Sequence, residues 1–297
     1  MSIRVILDTC VVRNIAHQRG VELDRRLIHA SSEDLRFSVA DPSFLELHAA
    51  LSEGRIPWED WRRAATFFDD VLDEEWPVFP GNAQLHMTSG LLDGKIDVAK
   101  IKRHCQAGWQ HVSAAESDND LEREEVIELD DGRKFKIGGH PSKSPAVREN
   151  ERAKWIKLIE SLRETYDPKK WSQEDTMKAV LVRLYQEEKW SPEQLGKMVP
   201  FAKVIARYIH LVQRKGSYNP DSDNTRGDAF DLNLLWYLPL PALVCTADGK
   251  FIKKAGLSDV SYGVVNVETL NEHIGSNTVH ELLHDVTEMQ KPVLVET

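Results

Sequence analysis

The first fifty residues alternate between short apolar runs and segments with apolar residues at helical spacing. RVILD (4–8) predicts a buried strand that ends on a carboxylate, and LRFSVA (35–40) predicts a second strand. Residues 11–30 and 41–54 have apolar positions three and four residues apart, which is typical of helices. Asp41 is expected to cap the second of these helices. The pattern therefore predicts strand, helix, strand, helix.

The last seventy residues repeat this alternation. A helix is predicted over 227–238, followed by an apolar strand within PALVCTAD (241–248). A short helix over 249–256, a strand over 262–267 and a final helix over 276–290 complete the series. Strands that alternate with helices indicate a parallel sheet with right-handed crossovers.

The middle of the chain is predicted to be mostly helical. Helical periodicity with credible caps covers residues 58–76, 146–166, 172–188 and 191–216. Between them, two alternating runs within 125–139 are joined by Asp-Asp-Gly, which indicates a β-hairpin. We therefore predict a discontinuous α/β domain over 1–55 and 217–297, interrupted by a mostly helical insertion over 56–216.

Composition places the chain among soluble globular proteins, with 41% hydrophobic and 29% charged residues. No apolar run approaches the roughly 20 residues that span a bilayer, so no membrane association is expected. The N-terminal segment lacks the zones of a signal peptide. Three widely spaced cysteines, Cys10, Cys105 and Cys245, predict reduced thiols and a cytoplasmic location.

The net charge of −10 argues against indiscriminate coating of nucleic acid, because phosphate repels a broad acidic surface. It remains compatible with an acidic pocket that metal ions neutralise.

Five acidic residues are expected at one edge of the predicted sheet. Asp8 ends the first strand, and Asp248 lies just past the strand within 241–248. Glu46 lies one turn into the helix after the second strand. Asp228 and Asp231 share a face of the helix that precedes the strand within 241–248. Ligands of open parallel sheets bind beyond the carboxyl ends of the strands. The set therefore predicts a binding site there.

Carboxylates gathered in this way repel each other and raise each other's pKa. Hard divalent cations such as Mg²⁺ or Mn²⁺ prefer carboxylate oxygens and would remove the repulsion. Such ions suit phosphodiester hydrolysis, in which they activate water and clamp the reacting oxygens. Four of the five acids also have a structural explanation: Asp8 and Asp248 as turn formers, Glu46 as a solvated helix residue, and Asp228 as an N-cap.

The same segments resemble the PIN-domain nuclease family over about the first 55 residues and over residues 225–270. The motifs that carry the resemblance are VILDTCVV, SVADPSFLEL, GDAFDLNLL and LVCTADGKF. The resemblance implies a three-layer α/β/α fold and a metal-dependent endoribonuclease that uses Mg²⁺ or Mn²⁺. Its catalytic and metal-binding acids are matched by Asp8, Glu46, an Asp that opens a later helix, and Asp248.

The resemblance leaves the third acid open. Asp231 lies 17 positions before Asp248 and Asp228 lies 20 before it, and either spacing fits a helix plus a strand. Hydroxyls beside the first and last acids, Thr9 and Thr246, are assigned to positioning water or ligand. The chain departs from small family members in the 182 positions that separate Glu46 from Asp228.

The insertion could form a wall of the active-site groove, a dimer surface or an inhibitory lid. The expected substrate is single-stranded RNA. For the insertion, the alternatives are contact with a second copy of the chain in a homodimer and contact with an inhibitory partner protein.

Two other functions compete with the nuclease. HELLH (280–284) matches HExxH, which on a helix binds zinc and supplies the Glu base of a metallopeptidase. Only 13 residues follow His284, so a downstream third ligand has almost no room. The other alternative is a PIN-like binding or scaffold protein with little or no catalysis, for which the acidic surface and the large insertion argue.

Overall fold

A computed structural model describes most of the chain. The described residues are 3–18, 35–80, 97–138, 145–165, 172–188, 203–210, 228–238, 242–257 and 263–282, with the single positions 23, 28, 170, 219, 220, 222, 225 and 240. The described strands are β1 (Ile3–Leu7), β2 (Leu35–Ala40), β3 (Val78–Phe79), β4 (Glu125–Glu128), β5 (Lys134–Ile137), β6 (Ala242–Cys245) and β7 (Val264–Val265).

The described α-helices follow the same chain order. They are α1 (Thr9–His17), α2 (Asp41–Ser52), α3 (Trp58–Val71), α4 (Val98–Ala114), α5 (Asp118–Glu122), α6 (Pro145–Thr165), α7 (Gln173–Glu188), α8 (Asp228–Leu234), α9 (Gly249–Leu257) and α10 (Val267–Gly275). Residues 203–210 are also helical, and Leu235–Tyr237 and Val279–Leu282 are 3₁₀-helices.

Five strands form a central parallel sheet in the order β3-β2-β1-β6-β7. Leu7 at the end of β1 is level with Val39 of β2 and with Cys245 of β6. Because β1 is the middle strand, its apolar residues are buried on both faces, which explains the continuous run VIL. The predicted α/β fold with a parallel sheet is confirmed.

Helices cover both faces of this sheet. Successive residues of a strand point to opposite faces, and Val5 and Ile6 accordingly belong to two separate apolar clusters. One cluster packs against α6, α7, residues 203–210, α8 and α9, and the other against α1–α5 and α10. The sheet is therefore the middle layer between two helical layers.

The range 56–216, predicted as an insertion, contributes directly to this core. It supplies strand β3, which pairs with β2, and it supplies helices to both apolar clusters. The division of the chain into two domains stays a prediction.

The predicted β-hairpin is confirmed. Strands β4 and β5 pair antiparallel, and Gly132 in the Asp-Asp-Gly turn has φ +81°. A positive φ costs glycine little, since it has no Cβ, which explains the glycine at this turn.

The C-terminal part differs from the sequence prediction. Of the strand expected over 262–267, the described residues 263–267 form only Val264–Val265, and Val267 already begins α10; residue 262 lies outside the described residues. Asn266 caps this helix, because its Oδ1 accepts a hydrogen bond of 2.7 Å from the Thr269 amide. The helix expected over 276–290 is instead a turn followed by a 3₁₀-helix to Leu282, and residues 283–290 lie outside the described residues.

The start of α2 is also shifted. Ala40 is the N-cap residue, and Asp41, which was expected to cap the helix, is its first residue, with Pro42 next. Tyr237 reaches this turn: the Asp41 amide donates to its hydroxyl oxygen at 3.0 Å. Asp41 thus joins a contact between the first and last parts of the chain.

None of the described helices combines the length and the apolar composition that crossing a bilayer requires. The cytoplasmic location stays a prediction.

Candidate functional site

The order of the strands reverses at the centre of the sheet. From β1 the chain continues through β2 to β3 on one side, and later through β6 to β7 on the other. The connections that leave the carboxyl ends of β1 and β6 therefore diverge, which creates the kind of crevice where open α/β sheets bind ligands. A pocket of about 240 Å³ lies at this position.

Four of the five acids predicted from the sequence line this pocket. They are Asp8, Glu46, Asp231 and Asp248, which come from four separate parts of the chain. Asp228 is not one of the lining residues. The structure thus brings four of the acids together at the expected edge of the sheet, while their role as metal ligands stays a prediction.

Neutral donors hold the carboxylate of Asp8. Its Oδ1 accepts hydrogen bonds from the Thr9 amide at 2.6 Å and from the Ser43 hydroxyl at 3.2 Å. Its Oδ2 accepts from the Thr246 hydroxyl at 2.8 Å and from the Cys10 thiol at 2.9 Å. These contacts fix the orientation of the carboxylate and leave its negative charge without a positive partner among them.

Glu46 is oriented by Thr9. The Thr9 hydroxyl donates to Glu46 Oε2 at 2.5 Å, and the Thr9 amide donates to Ser43 Oγ at 3.0 Å. The first turn of α1 is thereby bonded to the first two turns of α2. Thr9, which was predicted to position water or ligand, lines the pocket itself and contacts both Asp8 and Glu46.

Thr246 links the first and last acids. It is fully buried at the end of β6, and its hydroxyl donates to Asp8 and accepts from the Asp248 amide at 3.0 Å. Asp248 in turn caps α9: its Oδ1 accepts from the amides of Lys250, at 2.7 Å, and Phe251, at 3.2 Å. The strand and the helix together fix both carboxylates.

The pair on α8 is divided between the pocket and a lysine. Asp228 is buried, with 4% of its side chain exposed, and its Oδ1 accepts a hydrogen bond from Lys254 Nζ on α9. Asp231 lines the pocket, its Oδ2 lies 3.5 Å from Lys254 Nζ, and the Tyr208 hydroxyl donates to it at 3.2 Å. Of the two registers left open by the sequence, Asp231 is the one that faces the pocket.

The electrostatics show that these acids act on one another. Burial raises the pKa of Asp231 to about 7; Lys254 opposes this rise, and the carboxylates of Asp228, Asp248 and Asp8 add to it. Burial, together with the charge of Asp8, also raises the pKa of Cys10 to about 12. The Cys10 thiol therefore stays protonated at neutral pH and can donate its hydrogen to Asp8.

Several residues of the site carry no clear signal in the sequence. Ser43 is 2% exposed and contacts both Asp8 and the Thr9 amide. Lys254 is one of three lysines in α9, and helical spacing alone does not select it. Cys10, predicted only as one of the reduced thiols, contacts Asp8 and accepts a 3.0 Å hydrogen bond from the Ala247 amide.

The ligand chemistry of the pocket suits a hard cation, although a complete ligand set is not preformed. Within the described ranges, no group of three or more His, Cys, Asp or Glu side chains could hold a metal ion as placed. The carboxylates of Asp8, Asp231 and Asp248 nevertheless interact, and the raised pKa of Asp231 reflects the cost of gathering negative charge with only partial compensation. Carboxylate oxygens are the donors that Mg²⁺ and Mn²⁺ prefer.

The described part of HELLH has a different geometry from a zinc-binding helix. His280 and Glu281 lie in the 3₁₀-helix Val279–Leu282, which has three residues per turn. The i, i+4 alignment of an HExxH site requires an α-helix. His284 lies outside the described residues.

Together, the fold and the site define an α/β protein with a carboxylate-lined pocket at the switch point of a parallel sheet. No protein-family model matches the sequence, and neither a curated protein nor a solved structure matches it. Inferences about function rest on the residues of this chain.

Proposed function

We propose that this chain is a PIN-like nuclease, a metal-dependent endoribonuclease that hydrolyses RNA with Mg²⁺ or Mn²⁺ at the carboxylate pocket. The observation that supports this most strongly is the meeting of Asp8, Glu46, Asp231 and Asp248 around one pocket. These residues come from distant parts of the chain, and the pocket lies at the position where such sheets bind ligands.

The acids that line the pocket would contribute to binding the cation in two ways. Asp8 and Asp248 are held by hydrogen bonds from neutral groups, so their carboxylates are oriented before a cation arrives. Asp231 would lose its proton on binding, because a nearby cation favours the ionised form. A cation held by these residues would supply the activated water and the charge neutralisation that phosphodiester hydrolysis needs.

Arg13 supplies positive charge at the same pocket. It lies on α1, one turn after Asp8, and its exposed side chain lines the pocket beside the acids. A guanidinium can donate two parallel hydrogen bonds to phosphate oxygens. We assign Arg13 to binding the RNA backbone next to the bond that is cleaved.

A binding or scaffold protein without catalysis is the second candidate. Lys254 favours it, because its ammonium already contacts two of the five acids and reduces the need for a metal ion. A homodimer or an inhibitory protein partner at the residues 56–216 stays a prediction under either function.

The test is cleavage of a single-stranded RNA oligonucleotide in Mn²⁺ by the wild type, Asp8→Asn and Asp130→Asn. Asp130→Asn is the matched control, since Asp130 is exposed beside the hairpin turn. We expect the wild type and the control to cleave equally, and Asp8→Asn to lose at least about 100-fold in rate, because metal sites lose 10–100-fold even when an outer partner is removed.

Other outcomes would contradict the nuclease. RNA binding without Mn²⁺-dependent cleavage would favour the scaffold protein, and equal cleavage by Asp8→Asn would place the activity elsewhere. One tightly bound zinc per purified chain would favour the metallopeptidase.

A further inference from the structure

Lys254 contacts both acidic residues of α8. Its Nζ donates to Asp228 Oδ1 and lies 3.5 Å from Asp231 Oδ2. Those two acids are three residues apart on α8 and present their charges on one face of the helix. Lys254 reaches them from α9, which begins directly after Asp248.

Lys254 and the two acids are mostly buried, so the lysine acts as an internal counter-ion and does not form an exposed surface ion pair. The side chain of Lys254 is 21% exposed, and those of Asp228 and Asp231 are 4% and 14% exposed. Two carboxylates at this depth repel each other when both are ionised, and water screens that repulsion poorly, so a nearby positive charge stabilises them. The ammonium supplies that charge through direct contact with both carboxylates.

Asp231 is the acid that Lys254 and the pocket share. Asp231 contacts Lys254 and also lines the pocket with Asp8 and Asp248, whereas Asp228 contacts Lys254 and is not a lining residue. A paired-metal site places its two ions about 3.5–4 Å apart and needs carboxylates on both sides of the pair. Here Asp228, the acid that would complete the ligands of the second ion, is hydrogen-bonded to Lys254.

We propose that Lys254 replaces one metal ion, so that the pocket binds a single divalent cation on the side of Asp8, Asp231 and Asp248. This inference rests on the proposed function. Lys254 is a positioning residue: it fixes Asp228 and one side of Asp231, and it leaves the pocket side of Asp231 to the cation.

The first test counts Mn²⁺ ions bound to the wild-type protein. Equilibrium dialysis should give one Mn²⁺ per chain, and the electron paramagnetic resonance spectrum of the bound ion should be that of an isolated ion. A spin-coupled pair with two ions per chain would overturn the role of Lys254 and leave the proposed function standing. If no Mn²⁺ binds, the proposed function fails together with this inference.

The second test removes the charge of Lys254. Lys254→Met should bind a second Mn²⁺, since Asp228 and Asp231 lose their internal counter-ion, whereas Lys254→Arg should keep one ion. Lys253→Met is the matched control, because Lys253 is an exposed lysine on the same helix, and it should bind one ion. One ion in Lys254→Met, bound as tightly as in the wild type, would overturn the proposal.

Thermal unfolding separates this role from a purely structural one. Without metal, Lys254→Met should melt at a lower temperature than the wild type, because two buried acids are left without the ammonium. Saturating Mn²⁺ should raise its melting temperature more than that of the wild type, since a second ion binds only the folded variant. Equal shifts in both proteins would contradict the replacement of a metal ion. Should Lys254→Met fail to fold, the ion count and the spectrum of the wild type decide alone.

Discussion

Two carboxylates lie at opposite ends of the parallel strands, which we call the amino edge and the carboxyl edge of the sheet. Their negative charges are compensated in different ways. Towards the amino ends of β1 and β2, Asp73 forms an ion pair of 2.7 Å with Arg4, and both side chains are mostly buried. At the carboxyl end of β1, Asp8 is held by two hydroxyls, a thiol and a backbone amide. The arginine neutralises the first carboxylate, whereas the neutral donors orient the second and leave its charge available to a ligand.

Pocket size does not identify the candidate active site. The pocket at the amino edge is the larger, at about 640 Å³ against about 240 Å³. Two of the acids that line it have cationic partners, Asp73 with Arg4 and Glu75 with Lys102. Asp8 has neutral partners instead, and this difference in charge compensation identifies the smaller pocket as the candidate active site.

The largest expected difference between the two edges is in stability. Asp73→Asn should lower the free energy of unfolding by about 3 kcal/mol, because it leaves the guanidinium of Arg4 buried without its carboxylate. Asp8→Asn should change it by less than about 1 kcal/mol: the Asn oxygen can still accept from the Thr9 amide, the hydroxyl and thiol groups can reorient, and the repulsion from Asp231 falls. Urea unfolding in EDTA measures both values.

The exposed Glu75 provides the control for this comparison, because its carboxylate is 68% exposed. Glu75→Gln should stay within about 0.5 kcal/mol of the wild type. Equal losses from Asp73→Asn and Asp8→Asn would show that the two carboxylates are compensated alike, and the distinction between the edges would be wrong.

The next effect is a pH dependence of stability that arises from Asp231 at the carboxyl edge. Burial raises the pKa of Asp231 to about 7, far above its value of about 4 in an unfolded chain. Between these values the folded state holds a proton that the unfolded state has lost, so the contribution of Asp231 to stability is full below about pH 4 and is lost as the pH rises to 7.

Asp231→Asn removes this titration while keeping a neutral side chain. In EDTA, its advantage over the wild type in the free energy of unfolding should grow by about 2 kcal/mol from pH 5 to pH 7 and then level off. Urea unfolding of both proteins at each pH measures the difference. An advantage independent of pH would contradict the raised pKa, and an advantage that falls with pH would reverse its sign.

The order of elements explains why the sequence predicts the position of the site. The run before Asp8 identifies a buried strand, and the alternation of strands with helices identifies a parallel sheet. The rule that ligands bind at the carboxyl ends of the strands then selects Asp8 and Asp248. These inferences depend on topology, which needs only the type of each element and not the packing of its side chains.

The choice between Asp228 and Asp231 depends on packing and is not contained in the pattern. Both acids lie on one face of α8 and contact Lys254 of α9, but only Asp231 lines the pocket, where Tyr208 also donates to it. Helix α10 was missed for a related reason: Val264–Val265 is a two-residue strand, so the apolar residues of the strand and the helix form one run.

The smallest effect concerns Ser43, a neutral residue that helps to orient the carboxylate of Asp8. Ser43→Ala removes the hydroxyl that donates to Asp8 Oδ1 and accepts from the Thr9 amide. We expect Mn²⁺ affinity to fall about 10-fold, the lower end of the effect of losing a partner behind a metal ligand. Isothermal titration calorimetry measures it. Ser52→Ala on the same helix is the control, because the buried Ser52 hydroxyl has no hydrogen-bond partner among the described residues, and its affinity should be unchanged. If Ser43→Ala also binds Mn²⁺ as the wild type does, the orientation of Asp8 by neutral donors is not what prepares this edge of the sheet for a cation.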